Sequence, residues 1–194
     1  MPSHSVTFFY DLGSPFAYLT ADRIDEQFDT SVEVDWVPVL LGGIYKASGG
    51  SSWAEGPGRA DGIAEIAQRA AAYGIPAVHY PEPWPNDGLT VMRVAAWAHS
   101  AGAGRRFARA AFEVQFGDGL ALSDEENIEL AANRAGLDPV YALAAAQDPE
   151  VKVALIENTQ AAIDVGAPGV PTIVVGDQVF WGDDRLHEAV AAAS

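Results

Sequence analysis

Apolar and β-branched residues cluster in four short segments that predict the β-strands of this chain. Ser5–Leu12 is rich in aromatic and β-branched side chains, which is typical of a buried strand. Ser31–Leu41 alternates apolar and polar positions, with a proline near its end. Val170–Val175 and Gln178–Trp181 flank a Gly-Asp pair, which is a strong signal for a two-residue hairpin turn. The pattern therefore predicts two N-terminal strands and a C-terminal hairpin.

Helical spacing of apolar residues begins directly after the first strand. Ser14 is a favoured N-cap, and Pro15 suits the first helical position. A second amphipathic helix is predicted over Asp148–Gly166, and a last helix begins at Asp183, where two acids suit the helix dipole. The sequence from Gly42 is rich in glycine and serine and predicts a long loop. Five helical patterns follow that loop: GIAEIAQRAAAYG, LTVMRVAAWAHSAG, RRFARAAFEVQFG, SDEENIELAANRAG and LDPVYALAAAQ.

The order of these elements predicts an α/β fold with a helical insertion. Strand, helix and strand are followed by a run of helices, and then by helix, strand, strand and helix. Without the middle, the remainder is one four-stranded sheet covered by helices on both faces. We therefore predict a discontinuous α/β domain, residues 1–41 and 148–194, and an all-helical insertion domain over residues 42–147.

Charge and composition exclude several classes of function. The sequence has 27 acidic and 11 basic residues and a formal charge of −16, which argues against nucleic acid or an anionic membrane as a partner. It has no cysteine, so disulfide exchange, zinc–thiolate sites and a cysteine nucleophile are excluded. His4, His79, His99 and His187 have no spacing typical of a metal site, and no metal is predicted. The absence of a membrane-spanning run and of a secretory pattern predicts a cytoplasmic protein.

Two segments resemble the thioredoxin fold. In YDLGSPFAYL a strand leads directly into a helix, and GVPT precedes a late strand; in that fold the Val-Pro bond is cis and lies against the start of the active-site helix. Three further segments match in order and spacing: VPVLLGGIYKASG, PNDGLTVMR and QVFWGDDRL. Over nearly its full length, the chain resembles the family of 2-hydroxychromene-2-carboxylate isomerases and kappa-class glutathione transferases, within the DsbA-like thioredoxin superfamily. A thioredoxin-like fold with a helical insertion is therefore expected.

Ser14 is the candidate catalytic residue. The start of a helix favours negative charge, because its first N–H groups lack partners and the helix dipole is positive there. A thiol brought by a ligand would ionise more readily at this place, and the Ser14 hydroxyl would donate a hydrogen bond to the thiolate. No acid–histidine pair is evident that could activate Ser14 as a nucleophile. The alternative is a serine that only caps the helix, which stabilises it by about 1 kcal/mol.

The resemblance implies that glutathione, or another low-molecular-weight thiol, binds between the core and the insertion. The backbone of Val170 would pair with the cysteine part of that ligand as an added strand does. The implied thiol-binding residues are Ser14, Pro15, Phe16, Lys46, Val170, Pro171, Asp183 and Asp184. The substrate-binding candidates are Trp53 and Trp84, which can stack on an aromatic molecule, and Asn86; for the two tryptophans the alternative is core or lid packing.

Two groups of charged residues suit particular parts of such a ligand. Lys46 can reach a carboxylate, and its alternative is a solvated loop lysine. The turn that opens the last helix has N–H groups that can bind the carboxylate of a γ-glutamyl group, while Asp183 or Asp184 binds its ammonium. The alternative for both acids is that they only complement the helix dipole, at about half a kcal/mol each.

The insertion departs from the family pattern at several positions. Where the family has Gly-Asn followed by prolines, this chain has Gly49–Trp53, with the sequence GGSSW. On the next helix, Glu65 stands in place of the family's aspartate, and Gln68-Arg69 in place of its Arg-Trp. These changes lie on the substrate side, so they leave both the substrate and the thiol open.

The favoured function is a thiol-dependent isomerase of the 2-hydroxychromene-2-carboxylate type, which acts on a small molecule from aromatic breakdown. The alternatives are a glutathione transferase similar to the kappa class and a non-catalytic DsbA-like binding protein. A redox oxidoreductase needs a thiolate of its own, which a chain without cysteine does not supply. The family also leads us to expect a homodimer.

Overall fold

The structure is a computed structural model that describes residues 5–193, and the sheet in it has four strands. These are β1 (Val6–Tyr10), β2 (Val34–Pro38), β3 (Thr172–Val175) and β4 (Gln178–Trp181). Their order across the sheet is β2-β1-β3-β4. β1 and β2 are parallel, β3 is antiparallel to β1, and β4 is antiparallel to β3. The predicted four-stranded sheet and C-terminal hairpin are confirmed.

Helices cover the sheet and fill the segment between β2 and β3. Within residues 5–193 they are α1 (Pro15–Gln27), α2 (Leu41–Ser48), α3 (Arg59–Tyr73), α4 (Leu89–Ser100), α5 (Gly104–Phe112), α6 (Glu125–Arg134), α7 (Pro139–Ala145), α8 (Pro149–Asp164) and α9 (Leu186–Ala193). Short 3-10 turns occur at Trp53–Glu55 and Asp183–Arg185, and a π-helical turn at Glu113–Gly117. In this described part of the chain, no helix combines the length and the apolar character needed to cross a membrane.

Local sequence signals set the starts of two helices that frame the site. The Ala17 N–H donates a hydrogen bond to Oγ of Ser14 at 3.2 Å, and Pro15 takes the first position of α1. At the start of α8, the Glu150 N–H donates to Oδ1 of Asp148 at 2.8 Å. Each bond satisfies an N–H group that has no partner within its own helix. These starts therefore follow from residues within three positions of one another.

The alternation of side chains along β1 places cores on both faces of the sheet. Phe8 and Tyr10 belong to a large cluster, in which the rings of Phe8 and Trp36 lie 5.0 Å apart and which includes side chains of α1, α4 and α5. Phe9 belongs to a smaller cluster with Val37 and side chains of α2 and α8. The prediction that helices cover both faces is confirmed.

The glycine-rich segment that follows β2 differs from its prediction, because helix α2 replaces the first part of the expected loop. A Cβ on Gly43 would lie 2.9 Å from Cγ2 of Thr159, so glycine lets α2 lie close against α8. Ile44 is buried in the smaller cluster and anchors the helix there. α2 ends at Gly49, whose φ of 75° is the left-handed conformation that favours glycine. Its glycines thus serve packing, which composition alone does not disclose.

One core extends through both predicted segments. The large cluster joins Phe8 and Leu19 of the α/β part to Phe107 and Ile128 of the insertion. The division into a discontinuous domain and an insertion domain stays a prediction. Residues 1–4 and 194, and with them His4 and the N-terminal pattern, lie outside the described residues.

Candidate active site

Ser14 is buried at the point where β1 leads into α1, with 6% of its surface exposed. Its Oγ accepts the Ala17 N–H, and among residues 5–193 nothing accepts a hydrogen bond from its hydroxyl. The Phe16 N–H likewise forms no hydrogen bond with any described residue. Pro15 has no N–H. The helix start therefore offers one hydroxyl and one amide donor to an anionic atom.

A cavity of about 730 Å³ opens beside Ser14. This volume lies in the range that is typical of small-molecule sites. Asp11, Tyr45 and Met92 form part of its wall. Six of the residues predicted from the sequence line it as well: Ser14, Pro15, Lys46, Trp53, Trp84 and Asn86.

A second cavity, of about 390 Å³, contains the other predicted residues. Trp53 and Tyr45 line both cavities, which therefore meet at these two aromatic side chains. The sequence does not identify Tyr45 as a site residue, because the glycine-rich composition around it predicts a loop. The predicted residues in this second cavity are Phe16, Val170, Pro171, Asp183 and Asp184.

The main chain of Val170 faces the second cavity with its polar groups unpaired. The Val170–Pro171 peptide bond is cis, as in the thioredoxin fold that the sequence resembles. The Gly182 N–H donates to the Pro171 carbonyl at 3.0 Å, whereas the Val170 N–H and C=O bond to no other described residue. A buried N–H or C=O group of this kind normally has a partner. The segment thus has the free edge that an extended peptide ligand needs.

Aromatic rings form the wall between the helix start and the insertion. The ring centroids of Phe16 and Trp53 lie 5.9 Å apart, and those of Trp53 and Trp84 lie 5.7 Å apart. Trp84 is only 4% exposed and packs against Tyr80 at 4.8 Å. Trp53 is half-buried and reaches both cavities, so it is the better placed of the two tryptophans for stacking on an aromatic molecule.

Asp183 has partners within the protein that the sequence did not disclose. Its side chain is 1% exposed, its Oδ1 lies 2.7 Å from Nη1 of Arg69, and its Oδ2 accepts the Tyr73 hydroxyl at 2.9 Å. Burial raises the pKa of the Asp183 carboxyl, and the Arg69 charge and the Tyr73 hydrogen bond partly offset this rise. Arg23 donates to the Asp183 carbonyl at 2.8 Å. Oδ1 of Asp184 also lies 3.6 Å from Nη1 of Arg69, but this side chain is 57% exposed and is therefore the more accessible of the two carboxylates for a ligand ammonium.

Arg69 and Glu65, two of the positions where the sequence departs from the family pattern, form an ion pair with each other, and Arg69 also pairs with Asp183. Oε1 of Glu65 holds Nη2 of Arg69 at 2.6 Å, and the guanidinium carbon lies 5.4 Å from the centre of the Phe16 ring. Arg69 therefore lines the second cavity while it is bound to Glu65 and Asp183. The sequence signal was the unusual Gln68-Arg69 pair, but only the fold reveals its partner.

Lys46 and Asn86 lie where the sequence predicted, in the wall of the first cavity. Lys46 is exposed on the last turn of α2 and has no ion-pair partner among the described residues. Asn86 is half-buried, and its Nδ2 donates to the Pro83 carbonyl at 3.4 Å. The lysine is thus free to attract an anionic group of a small molecule.

Asp11 is a residue of the site that the sequence prediction missed. Its Oδ1 accepts the Gly13 N–H at 2.8 Å, and its Oδ2 accepts the Leu41 N–H at 2.9 Å. One carboxylate therefore ties the segment that carries Ser14 to the start of α2. Burial raises the pKa of Asp11, and the bonds from Leu41 and Gly13 act in the opposite direction. The available signal was Asp-x-Gly before a helix, a pattern in which aspartate bonds to the backbone two residues on.

Histidine and carboxylate positions do not form a metal site in the part of the chain that the structure describes. No group of three or more His, Cys, Asp or Glu residues there could hold a metal ion. His79 instead bonds to the Gly117 carbonyl at 2.6 Å, and His99 to Asp35 at 2.8 Å.

The sheet order β2-β1-β3-β4 and the helix that follows β1, with Ser14 as its cap, define a class of protein, and comparison with known families gives the same class. Residues 5–193 match the DsbA-like thioredoxin domain, so the chain belongs to this family. The α/β fold with a thioredoxin-like core, predicted from the sequence, is confirmed.

The curated relatives that match this chain carry the name of the isomerases that its sequence resembles. The chain is 28% identical over 185 residues to a 2-hydroxychromene-2-carboxylate isomerase of Pseudomonas putida, with 93% of this chain and 90% of that protein covered. It is 29% identical to the protein of the same name from Pseudomonas sp. (strain C18), with 93% and 86% covered. The predicted resemblance is thus confirmed.

Solved structures agree on the fold. A 2-hydroxychromene-2-carboxylate isomerase superposes with a TM-score of 0.85 at 23% identity and covers 96% of this chain and 93% of its own. A probable DsbA oxidoreductase from Streptomyces coelicolor gives a TM-score of 0.76 at 21% identity, with 98% and 89% covered. At these identities the likeness supports the fold alone.

Proposed function

We propose that this chain is a thiol-dependent isomerase that acts on an unsaturated aromatic-pathway substrate such as 2-hydroxychromene-2-carboxylate, with glutathione or another low-molecular-weight thiol as its cofactor. The names of its relatives confirm the coarser prediction of an isomerase-like enzyme. The substrate and the thiol are the proposal. A homodimer and a cytoplasmic location stay predictions.

One observation carries the proposal: two unused donors converge on the start of α1. The Ser14 hydroxyl and the Phe16 N–H have no acceptor among residues 5–193; Ser14 lines the cavity of about 730 Å³, and Phe16 lines the second cavity, which meets the first at Tyr45 and Trp53. Donors at a helix start stabilise an anion, and a thiolate is the anion that a thioredoxin-like site is built to hold. The chain has no cysteine, so the sulfur has to come from a ligand.

The residues present fit a peptide-like thiol. The unpaired N–H and C=O of Val170 offer the edge against which the cysteine part of such a ligand can lie. Asp184 is exposed in the second cavity and suits an ammonium group. Asp183 supports that turn from within, through its ion pair with Arg69.

When bound, the thiol supplies an ionised sulfur that adds reversibly to an unsaturated carbon and leaves again, so the substrate is isomerised and the thiol is regenerated. The residues of the chain do the rest. Ser14 donates a hydrogen bond that favours the ionised form of the thiol. Lys46 attracts an anionic group of the substrate into the first cavity, and the Trp53 ring offers an aromatic surface. The buried wall formed by Trp84 excludes water from this side.

The test is an isomerase assay with purified full-length protein and 2-hydroxychromene-2-carboxylate, with glutathione, with other low-molecular-weight thiols, and with no thiol. We expect isomerisation that depends on a thiol and falls by about a hundredfold in Ser14→Ala, which is the low end for loss of one preorganised donor. Ser123→Ala is the matched control, because Ser123 is exposed, lines neither cavity of the site and should leave the rate unchanged.

Two outcomes would contradict the proposal in different ways. Conjugation of the thiol to an electrophile, without isomerisation, would favour the glutathione transferase alternative. No activity, together with no thermal stabilisation by any thiol, would favour the non-catalytic binding protein, since a ligand at about 100 times its Kd adds roughly 2.7 kcal/mol of stability.

A further inference from the structure

A third cavity, of about 390 Å³, shares no lining residue with the two cavities of the candidate active site. Tyr18 and Asp22 of α1 form one side of it. Phe112 of α5 and Glu113, the first residue of the π-helical turn, form another. π-Helical turns are rare and frequently occur at functional sites. Nothing in the proposed isomerase reaction uses this cavity.

The hydroxyl of Tyr18 is the unexplained group here. Tyr18 is only 9% exposed, and its ring packs 6.2 Å from Phe112 and 5.8 Å from Phe116. Within residues 5–193 its hydroxyl has no hydrogen-bond partner, although it lines the cavity. The ring of Tyr18 is buried, whereas the hydroxyl oxygen at its tip stays accessible from the cavity. This hydroxyl is therefore free to bind a polar group of a ligand.

Carboxylates surround this hydroxyl. Burial raises the pKa of Tyr18, and the charges of Asp22, Glu113 and Asp118 raise it further, so the phenol is neutral and close to three negative groups. Asp118 is paired with Arg134 at 2.6 Å. Asp22 and Glu113 are exposed, line the cavity and form no ion pair with any described residue.

The one basic residue in the cavity wall does not cancel these charges. Arg109 lines the cavity, but its guanidinium forms an ion pair with Asp25, which also pairs with Arg105 at 2.7 Å. Arg105 and Arg109 share this single carboxylate, so Arg109 offsets only part of the charge of the three carboxylates Asp22, Glu113 and Asp118. The cavity keeps an excess of negative charge, in a protein whose net charge of −16 already attracts cations.

We propose that this cavity binds a small organic ammonium ion. Its charged nitrogen would lie among Asp22, Glu113 and the Tyr18 hydroxyl, all of which accept hydrogen bonds. Its apolar body would contact the rings of Tyr18 and Phe112, which also attract cations through their π faces.

The shape of the site favours an organic cation over a metal ion. A metal ion needs several ligands at about 2–2.6 Å, and the described residues contain no such group. The three carboxylates instead border a cavity that has room for a molecule with an apolar body.

The test is calorimetric titration of the full chain with benzylammonium chloride at low ionic strength. Benzyl alcohol and magnesium chloride serve as matched ligands, the first without the charge and the second without the apolar body. We expect saturable binding of benzylammonium only. The double variant Asp22→Asn/Glu113→Gln should raise Kd by about tenfold, and Tyr18→Phe, which keeps the ring, by about fivefold.

The control is the double variant Glu33→Gln/Glu157→Gln, which removes the same charge from exposed positions outside the cavity and should leave Kd unchanged. Circular dichroism and thermal melting establish that each variant is folded. The proposal is overturned if benzylammonium does not bind, if benzyl alcohol binds equally well, or if both double variants weaken binding to the same extent. Preferential binding of magnesium would also overturn it.

Discussion

Nη1 of Arg69 lies 2.7 Å from Oδ1 of Asp183, and this ion pair joins helix α3 of the insertion to the turn that opens α9. The two residues are 114 positions apart in the sequence. The pair also stands in the wall of the second cavity, beside Phe16 and Asp184. The insertion and the thioredoxin-like core thus share one buried charge at the candidate thiol site.

Loss of Arg69 should destabilise the fold. In Arg69→Met, the buried Asp183 carboxylate would keep the Tyr73 hydroxyl and the more distant Arg23 guanidinium at 3.8 Å, and we expect the free energy of unfolding to fall by about 2–3 kcal/mol. Urea denaturation measures this change. The control is Arg185→Met, which breaks the exposed pair with Glu188 and should cost no more than about 0.5 kcal/mol. Equal losses in the two variants would mean that the Arg69–Asp183 pair has no special role.

The capping and catalytic roles of Ser14 can be separated by substitution. Ser14→Ala removes the bond to the Ala17 N–H and should lower stability by about 1 kcal/mol. Ser14→Asp restores a good cap, but it places a negative charge beside the bound thiol. We therefore expect Ser14→Asp to recover stability while it raises the pKa of the bound thiol above that in the wild type, because like charges disfavour ionisation.

The measurement for Ser14 combines thermal melting with ultraviolet titration of the thiolate in the presence of glutathione. If the pKa of the bound thiol is the same in the wild type, Ser14→Ala and Ser14→Asp, Ser14 only caps α1.

Stability should depend on pH through Asp11. Its pKa in the folded protein is raised above the ordinary value of 3.8, chiefly by burial, so the folded state favours the protonated carboxyl. This contribution to stability is fully present below about pH 3.8 and is lost as the pH rises through the raised folded pKa. The free energy of unfolding of the wild type minus that of Asp11→Asn should therefore decrease as the pH rises.

Asp29 supplies the matched control for this pH series, because its pKa is lowered by hydrogen bonds from the Ser31 N–H and hydroxyl. The corresponding difference for Asp29→Asn should increase as the pH rises. Urea denaturation over about pH 3–7 measures both differences. Slopes of the same sign would contradict the assignment of a raised pKa to Asp11.

Two glycine substitutions should change stability in opposite directions. An added Cβ at Gly62 in α3 would lie 2.3 Å from the Trp53 ring, so Gly62→Ala should displace Trp53 and cost about 1–3 kcal/mol. Gly42 in α2 has no atom within 4 Å of the added position, so Gly42→Ala should stabilise the protein by about 0.5–1 kcal/mol. Urea denaturation and tryptophan fluorescence check both results. A stabilising Gly62→Ala would mean that Trp53 adapts freely.

Much of the fold follows from local signals. The four strands, the start of α1 at Ser14 and the α8 cap at Asp148 appear in the sequence because each depends on neighbours within a few positions. α2 was missed, since the packing of Gly43 against Thr159 involves a residue far away in the chain. Site residues such as Ser14 and Val170 were predicted through a family motif, whereas Tyr45 and Asp11 became visible only when the two cavities were in place.

The sequence by itself determined that this chain lacks protein thiol chemistry, that a serine caps the helix after the first strand, and that a Val-Pro pair precedes the C-terminal hairpin. Tertiary structure decided which carboxylates are buried and which are exposed. Asp183 is buried against Arg69 and Tyr73, whereas Asp184 is exposed and lies 3.6 Å from the same Arg69. The physical reason is the separation of the interacting residues along the sequence. Caps and turns form through hydrogen bonds between residues a few positions apart, whereas burial and ion pairing depend on neighbours that only the folded chain brings together.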